Sequence, residues 1–182
     1  MSLKTVYVTV GTTKFDALIA AISSEAGIRA LKDRKCKKLI IQHGNSLPLT
    51  PEAVQRITRR YGIQIEQYKF RPNKEDIRKA NLIIGHAGAG TCMDILNNNK
   101  HGLIVINDQL MDNHQWELAR QLASENYLYY TKVTDLDEQL TSLDFSALTP
   151  YEAQATNIDW FVAAVNELCV EASPIRKFRY CF

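Results

Sequence analysis

The chain has 182 residues and a formal net charge of +2, from 22 Lys and Arg against 20 Asp and Glu. That length fits one domain with a sizeable core, and so small and interspersed a charge excludes the basic stripe of a nucleic-acid-binding surface. No apolar run approaches the roughly 20 residues that span a bilayer. The N-terminus lacks the basic-then-apolar layout of a signal peptide, and Cys36, Cys92, Cys169 and Cys181 have no CxxC spacing. We therefore expect a cytosolic or peripherally attached protein with reduced thiols and no zinc site.

Strand-like and helix-like patterns alternate along the chain, the signature of a parallel sheet with crossover helices. Residues 5–10 read as a first strand ending at Gly11. A helix follows from about Phe15, with Leu18, Ile19 and Ile22 at helical spacing. Residues 38–42 give the second strand. Thr50 as N-cap and Pro51 at the first helical position start a helix that stops at Gly62. The third strand is expected over 63–68, a short helix over 74–79 and a central strand over 81–84.

Leu82, Ile83 and Ile84 then run into a turn of small residues, Gly85 to Gly90, and Thr91 onward is helical. We place that helix from near Ala89 to around residues 97–99. The fifth strand covers 103–106, and a helical pattern runs from beyond Asp112 through Leu122. A strand-like stretch at 127–131, a short helix near 135–140 and a final helix over 151–170 complete the reading, with a basic, aromatic tail after Pro174.

This pattern predicts an α/β fold: a single Rossmann-like domain over 1–150, its parallel sheet flanked by helices, and a C-terminal helix and tail over 151–182. Ligands of such sheets bind beyond the carboxyl ends of the strands, near the switch in strand order. Three loops fall there. In the first, Gly11, Thr12 and Thr13 can cradle a phosphate, although the loop is neither GxGxxG nor a Walker P-loop. Thr12 or Thr13 can equally serve as a cap of the first helix.

The second loop offers a helix N-terminus with free N–H groups, with His86 and Thr91 as further donors and Gly88, Ala89 and Gly90 allowing close approach. Asp94, one turn on, can accept from the vicinal hydroxyls of ribose, or simply favour the helix end electrostatically. The third loop places seven polar side chains in the nine positions 107–115, which suits a polyhydroxylated ligand or a solvated surface. Asp108, Asp112 and His114 are metal-ligating types without ligand spacing, so no metal is expected. His43 and His101 read as turn residues. No GxSxG, HExxH or Ser-His-Asp order supports hydrolase chemistry.

With the segments VTVGTTKFD (8–16), ANLIIGHAGAGT (80–91) and VINDQLMDNHQ (105–115) assembled, the chain resembles the catalytic subunits of the eukaryotic UDP-N-acetylglucosamine transferase that adds the second sugar to dolichol-linked oligosaccharide. It is more distantly similar to the C-terminal, nucleotide-sugar-binding half of the bacterial lipid-II-forming N-acetylglucosaminyltransferases and other GT-B glycosyltransferases. The resemblance implies that His86 and the loop through Thr91 face the diphosphate of UDP-GlcNAc. It also implies that Asp94 faces ribose and that Asn113, His114 and Gln115 approach the donor sugar or nucleotide.

GT-B enzymes use two Rossmann domains and this chain carries one. The resemblance therefore implies a membrane-anchored partner that binds the dolichol-linked acceptor, contacts 151–182 and recruits this chain to the cytosolic face of the endoplasmic reticulum. Transfer would invert at the anomeric carbon and give a β1,4 linkage. The chain does not identify the base that deprotonates the acceptor. A nucleotide-sugar-binding regulatory or scaffold module, and a stand-alone Rossmann-type nucleotide enzyme, are the competing expectations.

Overall fold

The computed structural model describes residues 2–107 and 113–152, the side chains of 113–115 excepted. A first structural unit ends at Tyr151, and from residue 153 on the expected helix over 151–170 lies outside the described residues. In chain order the elements are β1 (Thr5–Thr9), α1 (Asp16–Ser23), α2 (Glu25–Asp33), β2 (Lys38–Gln42), α3 (Pro51–Tyr61), β3 (Gln64–Tyr68) and α4 (Lys74–Lys79). There follow β4 (Leu82–His86), α5 (Ala89–Asn97), β5 (His101–Ile106), α6 (Asn113–Ser124), β6 (Tyr129–Lys132) and α7 (Leu136–Ser142), with single 3-10 turns at Val133–Asp135 and Phe145–Ala147.

The strands form one parallel sheet in the order β3-β2-β1-β4-β5-β6. Successive strands are added toward one edge from β1 to β3 and toward the other from β4 to β6, so strand order switches between β1 and β4 and the expected Rossmann-like architecture is present. Both faces of the strands are apolar, as a sheet covered by helices on two sides requires. Val6, Val8, Leu39, Ile41, Ile84 and Val105 pack with α1, α2, α3 and α7. Their alternates Tyr7, Ile40, Ile83 and Ile104 pack with α4, α5 and α6. Each fully buried Leu or Ile contributes roughly 1.5–3 kcal/mol, so this two-sided core makes the strand ends a rigid platform.

Several boundaries differ from the sequence pattern for physical reasons. Phe15 is the N-cap of α1 and not inside it: its backbone is non-helical (φ −139°, ψ 61°), its carbonyl accepts from the amides of Leu18 and Ile19, and its own N–H donates to Ser46 Oγ at 2.6 Å. The single helix expected after it is two. Ser24 is extended and its hydroxyl accepts from Gly27 N–H, which starts α2 afresh. β4 runs two residues past Ile84, since Gly85 pairs with Thr9 and Ile104 and His86 pairs with Val105. The helix after it starts at Ala89, where the sequence pattern places it. Thr50 and Pro51 start α3 as the sequence predicts, and the chain turns out of it at Gly62.

Candidate functional site

An open cleft of about 420 Å³ lies over the carboxyl ends of β1, β2 and β4, where strand order switches. Its walls come from the β1–α1 loop (Gly11, Thr12), the β4–α5 turn (His86, Gly88, Gly90, Thr91, Asp94) and the loop after β3 (Phe70, Arg71, Asn73), with Tyr7, Thr9 and Gln42 below.

One of these walls carries a helix N-terminus. Gly88 precedes α5 with extended backbone and no side chain caps the helix. The first helical hydrogen bond is Cys92 N–H to the Gly88 carbonyl at 3.1 Å, which leaves the amides of Ala89, Gly90 and Thr91 outside the ladder. Such amides together with the helix dipole favour an anion. A Cβ on Gly90 would meet no atom within 4 Å, so the space above this turn is open.

His86 is held edge-on between two glycines. A Cβ on Gly11 would stand 2.9 Å from its Cε1, and one on Gly88 would stand 2.4 Å from its Nε2. Gly11 has φ +60°, a conformation that suits glycine and brings its backbone against the ring. Nδ1 is buried and makes no well-formed hydrogen bond among the described residues. Burial lowers the His86 pKa below its ordinary value, with the Thr9 backbone opposing. Burial thus favours the neutral form of the ring.

Thr91 is buried, its methyl lying over Gly85, where a Cβ would come within 2.5 Å of it. Asp94 is half-buried on the cleft wall; burial raises its pKa and the Asn73 side chain opposes the shift. Two of the residues singled out in the sequence stand off the lining. Thr13 turns its hydroxyl back to the Val10 carbonyl at 2.7 Å, and Ala89 is exposed at the start of α5. Neither Thr12 nor Thr13 caps α1. Asn113 begins α6, but the side chains of Asn113, His114 and Gln115 and residues 108–112 lie outside the described residues.

The structure adds residues that no local motif announced. Gln42 at the end of β2 accepts from Thr9 Oγ1 (2.6 Å) and Gly11 N–H (2.9 Å) and donates to the carbonyls of Gly11 (2.7 Å) and Lys69 (2.9 Å). The Arg71 Cζ stands over the Tyr68 ring, 3.9 Å from its centroid, and the guanidinium grips the buried Asp76 carboxylate, with Glu66 Oε1 at 2.6 Å. Tyr68 donates to Asp76 at 2.8 Å, and its hydroxyl is 3.1 Å from that of Tyr7. These contacts fasten the loop that carries Phe70, half exposed at the rim, and Asn73. Their only sequence signal was a charged and aromatic cluster at a strand end.

His43 and His101 sit away from the cleft. His43 Nδ1 is 3.0 Å from the Ser46 carbonyl in a turn, and His101 opens β5 near Phe145. Among the described residues no group of three or more His, Cys, Asp or Glu is placed to hold a metal ion, and no helix is long and apolar enough to cross a membrane.

A parallel sheet of order 3-2-1-4-5-6 with an uncapped helix N-terminus facing a cleft at its switch point is the architecture of one Rossmann half of a GT-B glycosyltransferase. The chain belongs to the family described as the glycosyltransferase family 28 C-terminal domain, which matches residues 5–168. Among curated relatives, a UDP-N-acetylglucosamine transferase subunit ALG13 from Homo sapiens is 43% identical over 128 residues, which are 70% of this chain and 11% of that protein. The Candida albicans protein of the same name is 29% identical over 178 residues, covering 78% of this chain and 61% of its own. The chain thus spans less than two thirds of these relatives' lengths. In fold it is similar to the NMR solution structure of ALG13, with TM-score 0.66 and 21% identity over 88% of this chain and 95% of that one. It is also similar to MurG of Acinetobacter baumannii, with TM-score 0.57 and 19% identity over 81% of this chain and 43% of that one.

Proposed function

We propose that this chain is the donor-binding half of an N-acetylglucosaminyltransferase. It takes UDP-GlcNAc and, together with a membrane-anchored partner that holds the acceptor, transfers GlcNAc to GlcNAc-diphosphate-dolichol with inversion, giving a β1,4 linkage. The observation that carries the reading is the uncapped N-terminus of α5 opening on the cleft. Leaving-group departure puts negative charge on the UDP diphosphate, and preorganised amides stabilise charge where it develops without reorganising.

The residues divide the work. The α5 amides and the Thr91 hydroxyl receive the diphosphate from one side, and the Gly11–Thr12 backbone approaches it from the other. His86, neutral and held between the two loops, offers a ring N–H as a further donor. Asp94 accepts from the ribose hydroxyls. Asn113, His114 and Gln115 approach the sugar or nucleotide by family resemblance. The relatives are named as subunits, which supports a partner. Through it the chain is recruited to the cytosolic face of the endoplasmic reticulum, with residues 151–182 as the contact.

The test is transfer from UDP-GlcNAc to a GlcNAc-diphosphate-lipid, assayed with the chain alone and with a co-expressed membrane partner, alongside calorimetric titration of UDP. Turnover only with the partner, and UDP binding in either state, is the expected result. UDP binding with no turnover under any condition would instead make the chain a regulatory or scaffold module.

A further inference from the structure

Gln42 is the most completely bonded polar side chain at the cleft. A primary amide can accept two hydrogen bonds at its oxygen and donate two from its nitrogen. Gln42 does all four: Thr9 Oγ1 and Gly11 N–H on Oε1, and the carbonyls of Gly11 and Lys69 on Nε2. Two carbonyl partners on one end and an N–H on the other fix which end is nitrogen. The side chain is buried, and its amide has nothing left to offer a ligand although it lines the cleft.

The partners are what matter. Gly11 is gripped at both its N–H and its carbonyl, which holds the left-handed turn whose backbone abuts the His86 ring. Lys69 precedes Phe70 and Arg71, so the same amide joins the first wall of the cleft to the third. We infer that Gln42 is a positioning residue: it holds the β1–α1 loop against His86 and fastens that loop to the one after β3, so that both walls are set before a nucleotide diphosphate arrives. The ligand part of this inference rests on the donor-binding reading above; the arrangement of Gly11 and His86 does not.

Gln67 supplies a matched control. It makes a comparable two-ended tether, accepting from Leu49 N–H and donating to the Leu49 carbonyl, both at 2.9 Å, but on a loop that does not line the cleft. The experiment compares Gln42→Met and Gln67→Met in the full chain by UDP calorimetry, thermal melting and NMR titration of the His86 ring. Methionine is close to glutamine in length and adds no charge beside the imidazole or the diphosphate, but it offers the two loops no donor and only a weak acceptor. The expected result is about tenfold weaker UDP binding and a His86 titration moved toward the ordinary imidazole range. Gln67→Met melts lower by a similar margin yet keeps wild-type UDP affinity within twofold and an unmoved His86. Equal effects of the two variants on UDP and on His86 would overturn the inference. If the wild-type chain does not bind UDP, the donor-binding reading fails, and the His86 titration still decides the role of Gln42. Should Gln42→Met not fold, Gln42→Asn, which keeps the amide but is one methylene shorter, is read in the same way.

Discussion

The imidazole of His86 lies so close over Gly88 that a methyl group on that glycine would stand 2.4 Å from Nε2, nearer than any real side-chain carbon approaches. Gly88 has φ −77° and extended backbone, so the need for glycine is spatial and not conformational. Gly90, two residues on, is the opposite case, with nothing within 4 Å of the same construction.

These two glycines should therefore answer differently to alanine. Gly88→Ala pushes the ring out of its seat and is expected to lower transfer about 10–100-fold, approaching the loss for His86→Ala, since removing one donor from such a site costs about 10²–10³ in kcat. Gly90→Ala sits inside α5 and should stabilise the fold by about 0.5–1 kcal/mol while weakening UDP binding, because its methyl enters the space above the amides. Urea denaturation with UDP calorimetry on both variants checks this. Unchanged UDP binding by Gly90→Ala would show that the ligand lies elsewhere.

His86 also gives the fold an acid sensitivity. Burial lowers its pKa in the folded chain, whereas the unfolded chain protonates this ring near the ordinary value of about 6.5. Above that pH both states are neutral and stability is full. As pH falls below it, the unfolded state binds a proton that the folded state refuses, so stability declines. His101, its pKa lowered by burial and by Lys100, adds an effect of the same sign. The expected outcome is that His86→Gln loses less melting temperature than wild type between pH 7.5 and 5.5, with the His101→Gln variant separating the two contributions.

Asp94 should discriminate on ribose. A hydrogen bond to a charged group contributes about 1.5–3 kcal/mol, so Asp94→Ala is expected to weaken UDP binding tenfold or more. A 2′,3′-dideoxy analogue of UDP has no hydroxyls to lose, and its affinity should change little between wild type and variant. A calorimetric cycle over the two ligands and two proteins measures this coupling; equal losses for both ligands would remove Asp94 from the ribose contact.

Asp76 holds the loop after β3 from beneath. Removing its carboxylate leaves the Tyr68 hydroxyl with only that of Tyr7 and Arg71 with only Glu66, so Asp76→Ala should cost about 1–3 kcal/mol, tempered by the partial exposure of Arg71. Because Phe70 and Asn73 ride on that loop, UDP affinity should fall with it. Denaturation midpoints and calorimetry on Asp76→Ala, with Glu75→Ala as an exposed ion-pair control, make the comparison.

The sequence alone determined what depends on neighbours along the chain. Strands buried on both faces read as apolar runs, as at Leu39–Ile41 and Leu82–Ile84. Thr50 and Pro51 mark a helix start, and the small residues from Gly85 to Gly90 mark a turn with a helix behind it. From these signals came the Rossmann-like class and, in His86, Gly88, Gly90, Thr91 and Asp94, the half of the cleft built on one stretch of chain. The tertiary structure alone decided the other half. Gln42, Phe70, Arg71 and Asn73 are ordinary polar and aromatic residues at strand ends, with no spacing that sets them apart. They meet His86 only because the order β3-β2-β1-β4 lays four carboxyl ends side by side. Local pattern encodes conformation, whereas the company a side chain keeps is settled by which distant strands bury their apolar faces together.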